Sequence, residues 1–277
     1  MTRFQRFETP GGVSLHFALG SADLELASWE HEATEIEIEG RRDDDATRTA
    51  IEELTVEHEP RAGGHVVTVR EPRQKGFGFR IRDPRLRMRV RCPEGAAVTV
   101  GGGSSDVHTD GAFGPVEVKT GSGDVVLRGR VRSVRVTAAS GDVAVDVAEE
   151  RVSITTASGD VRVARADGEL VVNTVSGDAE IERATAGATV QSVSGDVRLG
   201  SVGGGDVRVQ TVSGDATVAL APGVGVWLDV SSVSGDVSSD LELEDAPAGL
   251  EASGVVELRA KSVSGDLHVT RAVVART

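Results

Sequence analysis

From about residue 104 onward, small aliphatic and polar residues alternate in short runs, and the runs return at a fixed interval. Val152 and Ile154 flank Ser153, and Val161 and Val163 flank Arg162. Ala188 and Val190 flank Thr189, and Val197 and Leu199 flank Arg198. Alternation of this kind, rich in β-branched residues, predicts short strands with one buried face. Between the two runs of each pair stands Ser-Gly-Asp. Its aspartates are Asp124, Asp142, Asp160, Asp178 and Asp196, each 18 residues after the last. Ser104-Ser105-Asp106 is a degenerate first copy, and Asp215, Asp236 and Asp266 follow at 19, 21 and 30 residues. A supersecondary unit repeated at this period stacks on itself. The pattern predicts an all-β, single-stranded β-solenoid (β-helix) of about nine coils of ~18 residues.

Each coil reads as strand, Ser-Gly-Asp turn, strand, looser turn. Glycine permits the positive φ of a sharp corner, and Ser and Asp bond nearby backbone amides. Four residues before the Asp, Thr120, Thr156, Thr174, Ser192, Thr211, Ser232 and Ser262 face inward and are expected to bond one another in a hydroxyl ladder. Three residues before it stand Val175, Val193, Val212, Val233 and Val263, with Gly121, Ala139 and Ala157 in the same place earlier. Strict alternation points these valines outward as an apolar stripe that could dock a partner. A corner at this point would tuck them inside instead, and both readings stand.

The first 95 residues lack the period but keep strand patterning, and are read as a strand-rich cap region ahead of repeats in 96–277, or as one sheet continuous with them. Ile36 and Ile38 alternate with Glu35, Glu37 and Glu39; Met88, Val90 and Cys92 alternate with Arg87, Arg89 and Arg91. These rows predict a cross-strand ladder of ion pairs in preference to a basic patch. Asp43-Asp44-Asp45 predicts an acid-capped short helix over Ala46 to Leu54. Ala62-Gly63-Gly64-His65 predicts a hairpin turn.

Composition narrows the function. Aromatics are 3% of the chain, Tyr is absent and Gly numbers 34, which suits thin coils. Net charge is −14. Residues 1–103 hold 15 basic and 18 acidic groups, and residues 104–277 hold 15 and 26, so the acidity lies in the repeats and argues against nucleic acid there. Cys92 is the single cysteine, which leaves no disulfide framework and reads as core. No apolar run suits a signal peptide or a membrane span, so no membrane insertion and a cytoplasmic location are expected.

Few motifs carry chemistry. The turn aspartates Asp106, Asp124, Asp142, Asp160, Asp178, Asp196, Asp215, Asp236 and Asp266 could line up calcium ions, but one carboxylate per coil is too few oxygens. They are read as structural, each accepting its own turn's amides. Lys75-Gly76-Phe77-Gly78-Phe79 resembles part of an RNA-recognition octamer but fails at Arg80 and Arg82. The six histidines show no metal-ligand spacing, and no acid, base and nucleophile cluster. No cofactor and no enzymatic activity are expected. Phe113, Trp227 and the insertion Glu242 to Gly254 interrupt the coils and are candidate recognition features.

The Ser-Val-Ser-Gly-Asp-Val units, the entry Val90-Arg91-Cys92-Pro93-Glu94-Gly95 and the ending from Gly225 to Leu267 resemble the bacterial putative-adhesin family of β-strand-repeat proteins, in its actinobacterial form. That resemblance implies a β-solenoid, no known activity and no catalytic residues. The expectation is a non-catalytic binding or scaffold protein with a protein partner or self-association. An exported surface adhesin and a self-assembling, bactofilin-like polymer are the alternatives.

Overall fold

The computed structural model describes residues 2–42, 44–71, 86–241 and 255–272. Two compact units divide the chain, Met1–Asp142 and Val143–Thr277.

The first unit contains β1 (Thr2–Glu8), β2 (Gly12–Trp29), β3 (Ala33–Gly40), α1 (Asp45–Glu53), β4 (Thr55–Arg61), β5 (Gly64–Arg70), β6 (Leu86–Pro93), β7 (Ala96–Ser122) and β8 (Val125–Ser140). Strands β7 and β8 stack in parallel with a register of one repeat, Val107 opposite Val125 and Val118 opposite Val136. Strand β2 lacks the Ser-Gly-Asp signature yet forms the next rung, parallel to β7, with Leu15 opposite Val98 and Asp23 opposite Asp106. Its other edge pairs in parallel with β5 and then β6. Pairing then turns antiparallel: β3 on β6, β1 on β3 and β4 on β5. The predicted helix is present. Asp44 caps it by accepting the Thr47 N–H at 2.8 Å, and Arg3 donates to the Leu54 carbonyl at 2.7 Å beyond its other end. Its buried face is Thr47, Ala50 and Ile51.

The second unit runs β9 (Val143–Ala148), β10 (Val152–Ser158), β11 (Val161–Ala166), β12 (Leu170–Ser176), β13 (Ala179–Ala184), β14 (Ala188–Ser194), β15 (Val197–Val202), β16 (Asp206–Ser213), β17 (Ala216–Leu220), β18 (Gly225–Ser234), β19 (Val237–Ser239), β20 (Val255–Ser264) and β21 (Leu267–Arg271). Each coil contributes two strands, and each strand pairs in parallel with its equivalent one coil away. Leu170 lies between Val152 and Ala188, and Val161 between Val143 and Ala179. Val152, Ile154, Val161, Val163, Leu170 and Val172 are all at most 1% exposed, so the alternation sorted inside from outside correctly.

The stack is not in sequence order at its end. Strand β16 pairs with β20 and β17 with β21, so the last coil in the chain lies directly on the Asp215 coil. Strands β18 and β19 pair with the far side of that coil. The spatial order is therefore Asp215, Asp266, Asp236. A register of whole repeats places Leu258 opposite both Val207 and Leu228, so either coil fits the same neighbour.

The hydroxyl ladder differs from expectation. Thr120 and Thr156 donate to the carbonyls of Ser122 and Ser158 at 2.8 and 3.2 Å, and Ser192 to that of Gly195 at 3.4 Å. These three hydroxyls thus close their own corners, where the chain folds back within two or three residues and brings a carbonyl near. Ser232 instead donates across to the Gly265 carbonyl at 3.2 Å, and the buried hydroxyls of Thr174, Thr211 and Ser262 have no hydrogen-bond partner among the described residues.

Candidate functional site

The Ser-Gly-Asp corners are built by glycine and aspartate together. Gly177 has φ 133°, and a Cβ there would meet the Gly159 carbonyl oxygen at 2.3 Å. Only glycine lets successive corners nest this closely. The aspartates bond between rungs, which corrects the expectation that each serves its own turn. In the first unit, the Asp124 N–H donates to Asp106 Oδ1 at 3.1 Å and the Asp142 N–H to Asp124 Oδ1 at 2.9 Å. In the second unit, the N–H groups of Asp178, Asp196, Asp215, Asp266 and Asp236 donate in turn to the Oδ1 of Asp160, Asp178, Asp196, Asp215 and Asp266, at 2.8–3.0 Å. A backbone amide set between stacked carboxylates offsets their mutual repulsion.

The valine column faces solvent. In spatial order Val175, Val193, Val212, Val263 and Val233 are 52, 47, 47, 50 and 83% exposed. The second unit brings all five together on one face, since β12, β14, β16, β20 and β18 are successive neighbours. Beside them runs a polar row in which Gln191 Nε2 donates to Gln210 Oε1 at 3.3 Å. Trp227 projects from the same side of β18 as Val233, by the period-2 rule. It is 51% exposed, with the Arg259 guanidinium 5.7 Å from its ring centre and Arg259 paired to Glu257.

Other candidates resolve differently. Phe113 is 4% exposed and belongs to the core. Cys92 is buried, and burial pushes its thiol up to about 12, so it is a neutral core side chain at ordinary pH. The glutamate and arginine rows form the expected ladder: Glu37 lies opposite Arg89, whose guanidinium reaches Glu39 at 3.2 Å, Glu37 at 3.4 Å and Glu25 at 3.4 Å. Glu39 first, then the hydrogen bond to Glu37, raises the Arg89 pKa. Lys75 to Phe79 and Glu242 to Gly254 lie outside the described residues.

One constellation escaped the sequence reading. Ser238 Oγ and His268 Nδ1 are 2.9 Å apart across β19 and β21, and His268 Nε2 is 3.1 Å from Asp240. The spacing of 30 residues hid this contact, because it depends on the rung order. The group is exposed, with Asp240 65% open, and it ties the outermost coil to its neighbour. His58 and His65 are similarly joined at 2.9 Å and stacked on each other, with Phe7 against His58. Among the described residues no helix is long and apolar enough to cross a membrane.

A parallel stack of two-stranded coils with nested glycine corners defines a β-solenoid repeat protein. Residues 19–270 match the Toastrack DUF4097 family, and the chain belongs to it. No curated protein matches. Among solved structures, the chain is similar to a putative adhesin from Parabacteroides distasonis ATCC 8503, with TM-score 0.53, 11% identity and 97% of each chain covered. A second, from the same organism and named a putative lipid binding protein, has TM-score 0.51, 14% identity, and 97% of this chain and 96% of that one covered. At such identities the likeness is one of fold.

Proposed function

We propose that this protein is a non-catalytic binding module whose docking face is the exposed column Val175, Val193, Val212, Val263 and Val233, with Trp227 on the same side of β18, six residues along the strand from Val233. The observation that carries this reading is the exposure of five stacked valines on one rigid face, each about half open or more. Isolated exposed valines are ordinary, but a contiguous apolar row is a common signature of protein docking. The flanking row Asn173, Gln191, Gln210, Lys261 and Ser231 holds a single charge, so a partner need desolvate few charges to lie along the valines. The fitting occupant is a protein segment with a complementary apolar strip and polar flanks.

Catalysis is not part of the reading. Cys92 is buried and neutral, and the Ser238–His268–Asp240 group sits open to solvent, where water screens its hydrogen bonds. An exported adhesin would use the same kind of face outside the cell, and a solved protein of this fold carries that name. We also infer that the chain is of the Ser-Gly-Asp-repeat, actinobacterial kind within its family.

The test compares partner capture by wild type, by Val193→Lys with Val212→Lys, and by Arg162→Ala away from the column. Selective loss of the same partner only in the valine variant, with an unchanged circular-dichroism spectrum, supports the reading. Retention of every partner by the valine variant overturns it.

A further inference from the structure

We propose that His58 and His65, in the first unit, form a binding site for one divalent metal ion of right-angled preference, copper(II) or nickel(II). The two are seven residues apart, and the turn at Gly63, with φ 91°, brings them together. The antiparallel register of β4 and β5 sets His58 opposite Val67 and Pro60 opposite His65, so the imidazoles lie diagonally on one face of the hairpin. Long side chains reach one another on such a diagonal. The strands hold the pair in place. Val67 and Val69 anchor β5 at 1 and 0% exposure, and His65 stands in register with Val13 of β2. The Phe7 ring of β1 packs on His58 with ring centres 5.0 Å apart. Both imidazoles are half-buried, so solvent still reaches them.

The spacing of the nitrogens selects the ion. His58 Nε2 and His65 Nδ1 are 2.9 Å apart. Two imidazole nitrogens each ~2.05 Å from one ion lie about 2.9 Å apart at a right angle and about 3.3 Å apart at the tetrahedral angle. The observed spacing therefore fits square-planar or tetragonal copper(II) and nickel(II) better than tetrahedral zinc(II). As a hydrogen-bonded pair the two nitrogens share one proton, and the rings, 21° from parallel, face each other across it. A tilt of both rings aims the two lone pairs at one ion, and the shared proton moves to the other nitrogen of its own ring. No carboxylate engages either imidazole among the described residues, whereas Asp240 holds His268. No third His, Cys, Asp or Glu completes a cluster with them among the described residues, so water fills the remaining positions and the ion exchanges with solvent. The net charge of −14 favours the approach of a cation. The site involves none of the valine column and does not rest on the docking reading.

The experiment is isothermal titration calorimetry of the full chain, without a purification tag, against nickel(II) chloride and separately against zinc(II) chloride. Wild type is expected to bind one nickel(II), at least as tightly as zinc(II). His58→Gln with His65→Gln is expected to weaken nickel(II) binding at least about tenfold, with unchanged circular dichroism. His268→Gln is expected to bind nickel(II) as wild type does, which separates the hairpin site from the Ser238–His268–Asp240 group. A wild type that binds no nickel(II), undiminished binding by the hairpin variant, or binding lost in His268→Gln overturns the proposal. So does a wild type that prefers zinc(II) to nickel(II) by about tenfold or more, because the right angle is then not the geometry used. Should the hairpin variant fail to fold, pulsed electron paramagnetic resonance of wild type with one equivalent of copper(II) decides. Coupling of the copper to two imidazole nitrogens supports the site, and coupling to one or none refutes it.

Discussion

At the scale of single residues, alternation gives neighbouring positions opposite fates. Val163 is 1% exposed and lies between Val145 and Ile181 in adjacent rungs. Arg162, its neighbour, pairs with Asp160 at 3.1 Å and Glu180 at 3.8 Å in solvent. Val163→Asp would set an unpaired carboxylate in that aliphatic layer and is expected to cost more than about 3 kcal/mol. Arg162→Ala removes only exposed ion pairs and is expected to change stability by about 0.5 kcal/mol or less. Denaturant titrations of both variants check this, and equal effects would reverse the assignment of the two faces. The sequence carried this distinction because a two-residue period is local. It carried less about hydrogen-bond partners. Asp178 was readable as a turn residue, but its acceptor role toward the Asp196 N–H depends on how close successive corners nest.

At the scale of the element, that nesting is set by the corner glycines, and it can be measured by contrast with a glycine elsewhere. Gly177→Ala would hold a Cβ 2.3 Å from the Gly159 carbonyl oxygen at φ 133°. Both the conformation and the clash oppose it, and a loss of about 2 kcal/mol or more is expected. Gly101→Ala would meet nothing nearer than 3.9 Å and is expected to be close to neutral. Thermal melts of the two variants test the point, and a neutral Gly177→Ala would mean that the corners can spread. The strands, the helix start at Asp44 and the hairpin at Gly63 were legible because each has a local signature. Strand β2 was not legible as a rung, since Asp23 stands in register with Asp106 without a Ser-Gly before it. The exchange of the last two coils was also hidden. Repeats that share one register give no sequence reason to prefer Val207 opposite Leu258 over Val207 opposite Leu228. What remained legible at the docking face was its membership, because the valines hold one column whichever coil is outermost.

At the scale of the whole molecule, charge bears on what can dock and how tightly. The chain carries a net charge of −14. A partner on the valine column would be held chiefly by apolar burial at Val175, Val193, Val212, Val263 and Val233. Carboxylates elsewhere on the surface would steer or repel it at longer range. Salt acts mainly on this second contribution. At ~0.1 M ionic strength the screening length is about 10 Å, short enough to mute charges away from the contact. Buried side chains are affected far less. Raising sodium chloride from a few millimolar toward physiological strength is therefore expected to leave partner capture by the wild type largely intact. A contact made from opposite charges would respond differently, since screening weakens it. Capture that is lost on adding salt would thus move the interface away from the valine column and onto the charged flanks of the coils.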